Sequence, residues 1–226
     1  MSAHDLRTQA IVLRRTNYGE SDRILIFLTP DGKISVLAKG ARKEKSKLAG
    51  GIEMFCVSDI TVHQGKGDLG ILTSAKMLHF YQRILNDINK ISLASRILKQ
   101  LSRLSEHVES SEYFSLAEQV FATLDSGVLN LDLVESWASL NLARISGTPI
   151  NLFFDNSGQK LQLKLNYRWD NFEQVLTPDQ GGNITADHIK LMRFMTATPL
   201  RALCQVIGRE KLAPEIVSIT KSLAVL

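Results

Sequence analysis

Residues 33–51, KISVLAKGARKEKSKLAGG, decide the fold of the first third of the chain. The first seven alternate apolar and polar side chains, as a half-buried β-strand does. The next twelve, residues 40–51, begin and end with glycine and are rich in lysine and arginine, which is typical of an exposed loop. We therefore predict a strand at residues 33–39 that is followed by a long basic loop.

Four further segments have the composition of short strands, because they are rich in branched residues and several alternate in polarity. They cover residues 8–15 (TQAIVLRR), 23–29 (RILIFLT), 55–64 (FCVSDITVHQ) and 69–78 (LGILTSAKML). The turn-forming sequences YGESD, PDG and GKGD separate strands that follow one another closely. Five strands within about 80 residues, with one long loop after the third, predict a five-stranded OB-fold β-barrel.

Beyond Phe80 the apolar residues recur at spacings of three and four, which predicts helices. The expected helices lie between Ile84 and Leu101, at 113–124, 131–145 and 186–195, and near the C-terminus; Trp137 and Phe121 are assigned to their core. Residues 151–182 are mixed, with a short hairpin expected around residues 161–167. The prediction is an α+β chain with an OB-fold domain at 1–80 and a helical domain at 81–226, into which 151–182 are inserted.

The composition is that of an ordinary globular protein, with 44% hydrophobic and 22% charged residues in 226. No apolar stretch has the length of a membrane span, and the first residues do not resemble an export signal, so we expect a cytoplasmic location. Cys56 and Cys204 each lie in an apolar run, and we expect both to be buried reduced thiols.

Positive charge is concentrated at the N-terminal end. Residues 1–80 contain 12 Lys/Arg and 8 Asp/Glu, whereas residues 81–226 contain 15 of each. The whole net charge of +4 therefore belongs to the predicted barrel, which favours an anionic partner for that region.

The basic run is the candidate nucleic-acid site, because flexible cations neutralise backbone phosphates without reading bases. The interpretation as an ordinary solvated loop stays open. Tyr18 is the expected exposed stacking aromatic, whereas Phe27 and Phe55 are assigned to the core. The candidate DNA-binding residues are Arg14, Arg15, Lys33, Lys39, Arg42, Lys43, Lys45, Lys47 and Lys66.

No catalytic, cofactor or metal motif is present. Residues 65–70 (GKGDLG) match the glycine pattern of dinucleotide-binding folds, but a predicted strand follows them where that fold needs a helix. There is no phosphate-binding P-loop, and neither the five histidines nor the two cysteines have zinc-ligand spacing. Residues 183–185 (NIT) are interpreted as a helix start. We expect a non-enzymatic protein without metal or cofactor.

Five stretches resemble the N-terminal region of the bacterial recombination mediator RecO: residues 9–15 (QAIVLRR), 18–23 (YGESDR), 32–42 (GKISVLAKGAR), 65–70 (GKGDLG) and 72–75 (LTSA). The resemblance implies an OB-fold and a helical domain that bind single- and double-stranded DNA and anneal complementary strands. It implies that RecR is a partner in loading RecA onto DNA coated by the single-stranded-DNA-binding protein SSB. The basic barrel residues of the family fall on Arg14, Arg15, Lys39 and Arg42.

The same resemblance raises two questions about the helical part. Many family members carry a four-cysteine zinc site there, whereas Cys204 is the only cysteine of this chain beyond the barrel, so zinc is not expected. The family also implies contact with the acidic, hydrophobic SSB tail, and Arg96, Lys99 and Arg103 are the candidate partner-binding residues because they share one helix face. The apolar surface beside them is expected from Ile97, Leu98, Leu101 and Leu104. A solvated basic stripe explains that spacing equally well.

Three functions stay open at this point. The first is a RecO-type DNA-binding mediator, and the second is an OB-fold protein that acts on RNA, since phosphates carry the same charge in both. The third is a helical interaction scaffold with an incidental basic loop.

Overall fold

A computed structural model describes residues 4–65, 67–105 and 111–223. The chain divides into two compact units, Met1–Asp125 and Ser126–Leu226. Within the described ranges no helix is long and apolar enough to cross a membrane.

The N-terminal unit is built on a closed five-stranded barrel, which confirms the predicted architecture. Around the barrel the strand order is β1-β2-β3-β5-β4, and only the β3–β5 pair is parallel. The strands are β1 (His4–Tyr18), β2 (Asp22–Thr29), β3 (Gly32–Ala38), β4 (Cys56–Gln64) and β5 (Leu69–Phe80). Residues 65–68 connect two antiparallel strands, so the hairpin interpretation of the glycine pattern is also confirmed.

The barrel interior follows from the alternation of each strand. Leu25 and Phe27 on β2 are fully enclosed, and Val12 lies opposite Phe27 on β1. The register of β1 against β2 shifts between Val12 and Arg14, so an irregularity separates the apolar part of β1 from its basic end. The interior cluster consists of Ala10, Val12, Leu25, Phe27, Val36, Ala38, Ala41, Ile52, Ile60, Val62 and Leu72.

The long β3–β4 connection closes one end of the barrel. Ala41 and Ile52 belong to the interior cluster, and Leu48 packs against it from the same segment. A short 3-10 helix, Ala49–Ile52, brings Gly51 so close to β5 that a β-carbon on it would lie 2.4 Å from the carbonyl oxygen of Ala75. The loop is therefore tethered at both ends by buried apolar residues, and its charged middle is left outside.

Two helices complete the N-terminal unit. Helix α1 (Ile88–Leu104) begins at Asp87, whose carboxylate accepts a hydrogen bond from the amide of Asn89. Helix α2 (Ser111–Ser126) buries Phe121, which packs edge-on against Phe55 with ring centroids 5.6 Å apart. Phe55 and Phe121 are thus core residues, as predicted.

The C-terminal unit is a small helical bundle. Helix α3 (Leu131–Ile145) coincides with the predicted segment, and α4 (Ala186–Ala197) and α5 (Arg209–Leu223) pack against it. Trp137 is buried, as expected, and its indole donates a hydrogen bond to the Thr198 carbonyl. Thr185 is the N-cap of α4, which confirms that residues 183–185 mark a helix start.

The hairpin expected at residues 161–167 is wrong in position. The two paired strands are β6 (Tyr167–Asp170) and β7 (Val175–Pro178). The Asp170 carboxylate accepts hydrogen bonds from the amides of Phe172 and Glu173 and so forms the turn, which puts the reversal after residue 170. The apolar alternation of residues 161–167 is local and did not reveal this turn.

Candidate nucleic-acid interface

Hydrogen bonds join the basic loop to the β1–β2 turn. The Asp22 carboxylate accepts a hydrogen bond of 2.7 Å from the amide of Gly40, which has a left-handed φ of 63°. The amide of Arg42 donates to the Ser21 carbonyl at 2.8 Å, and its guanidinium donates to the Gly19 carbonyl at 3.3 Å. Two segments about 20 residues apart in sequence thus form one surface at this end of the barrel.

Five cations of the loop are exposed. The loop backbone is a series of turns, in which the Lys43 amide donates to the Gly40 carbonyl and the Ser46 amide to the Lys43 carbonyl. Within the described part of the chain, none of these cations forms an ion pair: Lys39, Arg42, Lys43, Lys45 and Lys47. Glu44 is the acid in the middle of this run, so the surface is strongly positive.

The turn to which the loop is hydrogen-bonded follows directly on an exposed aromatic residue. Tyr18 is the last residue of β1, pairs with Asp22 across the β1–β2 turn, and is 55% exposed. This confirms the expectation that Tyr18 is a surface aromatic. We call Tyr18 together with the five exposed loop cations the basic loop surface. It combines charge for phosphates with one ring on which a base can stack.

The remaining predicted cations differ in their surroundings. Arg14 is exposed beyond the irregularity in β1. Arg15 instead forms an ion pair of 2.8 Å with Glu53, and Lys33 donates to the Ser102 carbonyl at 3.1 Å, which ties β3 to α1. Lys66 lies outside the described residues. The structure therefore brings the loop cations together, whereas Arg15 and Lys33 already have partners.

The opposite part of the barrel wall carries paired charges. Arg7 binds Asp59 through two guanidinium nitrogens, which lowers the pKa of that carboxylate. His63 Nδ1 lies 2.8 Å from Asp5. Because Arg7 and Asp59 neutralise each other, whereas the exposed loop cations form no ion pair within the described residues, the positive charge of the barrel is concentrated at the loop end.

The structure also corrects one cysteine prediction. Cys56 is buried, and burial raises the pKa of its thiol. Cys204 is exposed, contrary to expectation, because the neighbouring Leu203 takes the inward position of the same short 3-10 helix. The described ranges contain no cluster of three or more histidine, cysteine or acidic side chains suited to a metal ion.

Residues 151–182 do not fit the zinc site of the family, since they contain no cysteine. Side-chain hydrogen bonds organise this segment instead. The Asp155 carboxylate accepts bonds from the amides of Ser157 and Gln159 and from the Ser157 hydroxyl, and the guanidinium of Arg193 binds the Leu152 carbonyl at 2.6 and 2.9 Å.

The candidate partner-binding cations lie on the exposed face of α1. Arg96, Lys99 and Arg103 are all exposed, and the Arg96 guanidinium also donates to the Ser92 hydroxyl. Most of the apolar surface expected beside them is buried, because Ile97, Leu98 and Leu101 are at most 2% exposed and only Leu104 of that set is partly exposed. Three-and-four spacing placed the cations on one face, but the same spacing sends these apolar residues into the core.

The C-terminal unit contains an apolar groove of about 580 Å³ between α4 and the start of α5. Lys190 and Lys211 line it, and Lys190 is paired with Asp187 at 3.1 Å. Its apolar lining residues are Leu191, Phe194, Val206, Ile207 and Leu212. Sequence reasoning missed this groove because its two sides are about 20 residues apart and only packing brings them together.

Comparison with known proteins agrees with this architecture. A family model described as "Recombination protein O N terminal" matches residues 1–81. The chain is 30% identical over 219 residues to a protein named DNA repair protein RecO from Dehalococcoides mccartyi strain CBDB1, which covers 93% of this chain and 86% of that protein. The chain belongs to the RecO family.

A second RecO relative supports the assignment over the full length. The DNA repair protein RecO of Roseiflexus sp. strain RS-1 is 29% identical over 225 residues, or 96% of this chain and 77% of the relative. The matches therefore extend through the helical part of this RecO-family chain, where the sequence carried no sharp motif.

Proposed function

We propose that this RecO-family chain binds DNA through the basic loop surface, anneals complementary strands, and helps RecR load RecA onto SSB-coated single-stranded DNA. It acts by binding, with no chemical step of its own. The observation that supports the proposal best is the group of five exposed loop cations beside Tyr18, on a loop that is hydrogen-bonded to the turn carrying that ring.

The chemistry of this surface suits annealing. Lysine and arginine on a loop neutralise the phosphates of either strand, which reduces the repulsion between two approaching strands. The loop presents no arrangement of rigid polar side chains for reading base edges, so the bases remain free to pair. Electrostatic binding of this kind is indifferent to sequence, as a general annealing factor requires.

The SSB tail is the proposed protein partner of the helical part. An acidic tail with an apolar end needs cations beside an apolar pocket. Arg96, Lys99 and Arg103 supply the cations, whereas Ile97, Leu98 and Leu101 of the same helix are buried. The α4–α5 groove supplies both, with Lys190 and Lys211 beside an apolar floor, so it is a second candidate for the same peptide.

Salt dependence tests the DNA-binding proposal. Binding of fluorescent oligo-dT should weaken with a slope of about −0.7 in log K against log salt for each phosphate contacted. Replacing Arg42, Lys43, Lys45 and Lys47 by alanine should flatten the slope by up to about 3 units. The matched control replaces Lys160, Lys164, Arg201 and Lys221, which are also exposed and have the same composition. An unchanged slope in the loop variant would show that the loop is not the site.

Two further measurements separate the alternatives. Tighter binding of an RNA strand than of a DNA strand of the same length would favour an RNA-binding role over a DNA mediator. Annealing of complementary strands, with and without SSB, tests the mediator function itself. Failure to bind any nucleic acid at low salt would favour the interaction scaffold.

A synthetic SSB tail peptide discriminates between the two candidate sites, the cation face of α1 and the α4–α5 groove. Arg96→Glu with Arg103→Glu should weaken peptide binding if α1 holds the tail, whereas Lys190→Glu with Lys211→Glu should do so if the α4–α5 groove holds it. Both double variants should bind naked DNA as the wild type does. Unchanged peptide binding in both would contradict the proposed contact.

A further inference from the structure

Arg23 is an arginine whose charge the fold leaves uncompensated. It is the second residue of β2, beside the β1–β2 turn, and it pairs with Asn17 on β1 and Ala38 on β3. Residues two apart on a strand share a face, so Arg23 lies on the same face as the enclosed Leu25. Arg23 therefore projects on the interior side of the barrel wall, at the end that carries the basic loop surface.

The guanidinium of Arg23 has an enclosed donor without an acceptor. Its Nε is buried and has no hydrogen-bond partner, whereas the two terminal nitrogens are not enclosed. Within the described chain Arg23 forms no ion pair and no side-chain hydrogen bond. An arginine stays charged at any physiological pH, so a partly enclosed, unpaired guanidinium costs stability unless an anion occupies it.

The neighbouring arginine shows the contrast. Arg15 lies opposite Leu25 and so faces the same interior, but Glu53 neutralises it at 2.8 Å. The acid nearest to Arg23 in sequence, Asp22, is engaged with the amide of Gly40 and the hydroxyl of Ser21. The fold thus provides Arg15 with the carboxylate of Glu53, whereas Arg23, at the same end of the barrel as the loop cations, has no anionic partner among the described residues.

We propose that Arg23 is an anchoring site for one backbone phosphate of the bound strand. This inference rests on the proposed DNA binding and adds to it one defined phosphate contact at the start of β2. The terminal nitrogens of the guanidinium form the fork that matches phosphate oxygens, whereas the loop lysines act as single charges. A phosphate held there would lie on β2 directly after the β1–β2 turn, to which the basic loop is hydrogen-bonded.

The test compares Arg23→Gln with Arg7→Gln in oligo-dT binding and in thermal unfolding. Arg23→Gln should flatten the salt slope by about 0.7, the contribution of one phosphate on a single strand, and should leave Tm unchanged or higher because it removes an unpaired charge. Arg7→Gln should leave the slope unchanged, because Arg7 is already paired with Asp59. An Arg23→Gln variant that is destabilised and keeps the wild-type slope would overturn the proposal.

A footprint on the unmodified protein covers the case in which a variant fails to fold. Oligo-dT should protect Arg23 from p-hydroxyphenylglyoxal, as it protects Arg42, whereas Arg7 on the paired-charge wall should react equally with and without DNA. Reaction at Arg23 that DNA does not slow would refute the anchoring role. If DNA protects Arg42 but not Arg23, the anchoring role of Arg23 is refuted and DNA binding by the basic loop surface still stands. If the unmodified protein binds no oligo-dT at all, the proposed DNA-binding function is itself contradicted.

Discussion

Arg15 Nη1 lies 2.8 Å from Glu53 Oε2 and 3.4 Å from the carbonyl of Ile52, so one side chain of β1 holds the segment that closes the barrel. The two side chains are 28% and 43% exposed, which makes this a partly buried ion pair. It therefore acts as a structural contact at the end of the barrel that bears the basic loop surface.

Breaking this pair should destabilise the protein. We expect Arg15→Gln or Glu53→Gln to cost about 1 kcal/mol, which corresponds to a Tm lower by about 2–4 °C for a chain of this size. The double variant should cost less than the sum of the two, because both remove the same contact. Arg14→Gln is the control, since Arg14 is exposed, and it should not change Tm. Additive losses would contradict a direct contact.

Gly51 should be far less tolerant of alanine than its neighbour Gly50. A β-carbon on Gly51 would lie 2.4 Å from the Ala75 carbonyl oxygen, whereas none of the described atoms lies within 4 Å of the corresponding position on Gly50. We expect Gly51→Ala to destabilise the barrel by about 1–3 kcal/mol and Gly50→Ala to be neutral in urea unfolding. Equal stability of the two variants would mean that the 3-10 helix does not sit against β5.

Glu118 should make the stability of the N-terminal unit depend on pH. Burial raises the pKa of its carboxyl group. Because the folded state binds the proton of this carboxyl more tightly than the unfolded state does, the protonated group stabilises the fold. This stabilisation is fully present below the unfolded pKa of about 4.3 and is lost as the pH rises through the folded pKa.

Glu118→Gln should therefore stabilise the protein near neutral pH, by less than about 1 kcal/mol because the carboxyl is only partly enclosed. The gain should vanish at about pH 4, where the wild-type group is protonated. Glu20→Gln, at an exposed turn position, should show no such difference. Thermal unfolding at both pH values measures the effect, and a gain that is equal at both would refute it.

Folding of this chain should not require zinc. Residues 151–182 lack cysteine, and hydrogen bonds organise the segment instead: the Asp155 carboxylate accepts one from the Gln159 amide, and the Arg193 guanidinium donates to the Leu152 carbonyl. Elemental analysis of the chelator-treated protein should find no stoichiometric metal, and the chelator should leave Tm unchanged. One zinc per folded chain would contradict this expectation.

Local pattern was sufficient for most of the fold. The alternation of residues such as Leu25 and Phe27 identified the strands, and three-and-four spacing identified α2, α3 and α4, because burial on one face imposes these periods on the sequence itself. The glycines on either side of the basic run also predicted correctly that its cations are exposed to solvent. Each of these inferences depends on neighbours close in the chain.

Side-chain partners were decided by the tertiary structure alone. Arg14, Arg15 and Arg23 look equivalent in the sequence, yet the strand register leaves Arg14 in solvent, gives Arg15 the carboxylate of Glu53 and leaves Arg23 without one. The same holds for Cys204, for the hairpin at residues 167–178 and for the α4–α5 groove. The physical reason is that periodicity determines which face a residue occupies, whereas the groups it meets there come from segments that only folding brings close.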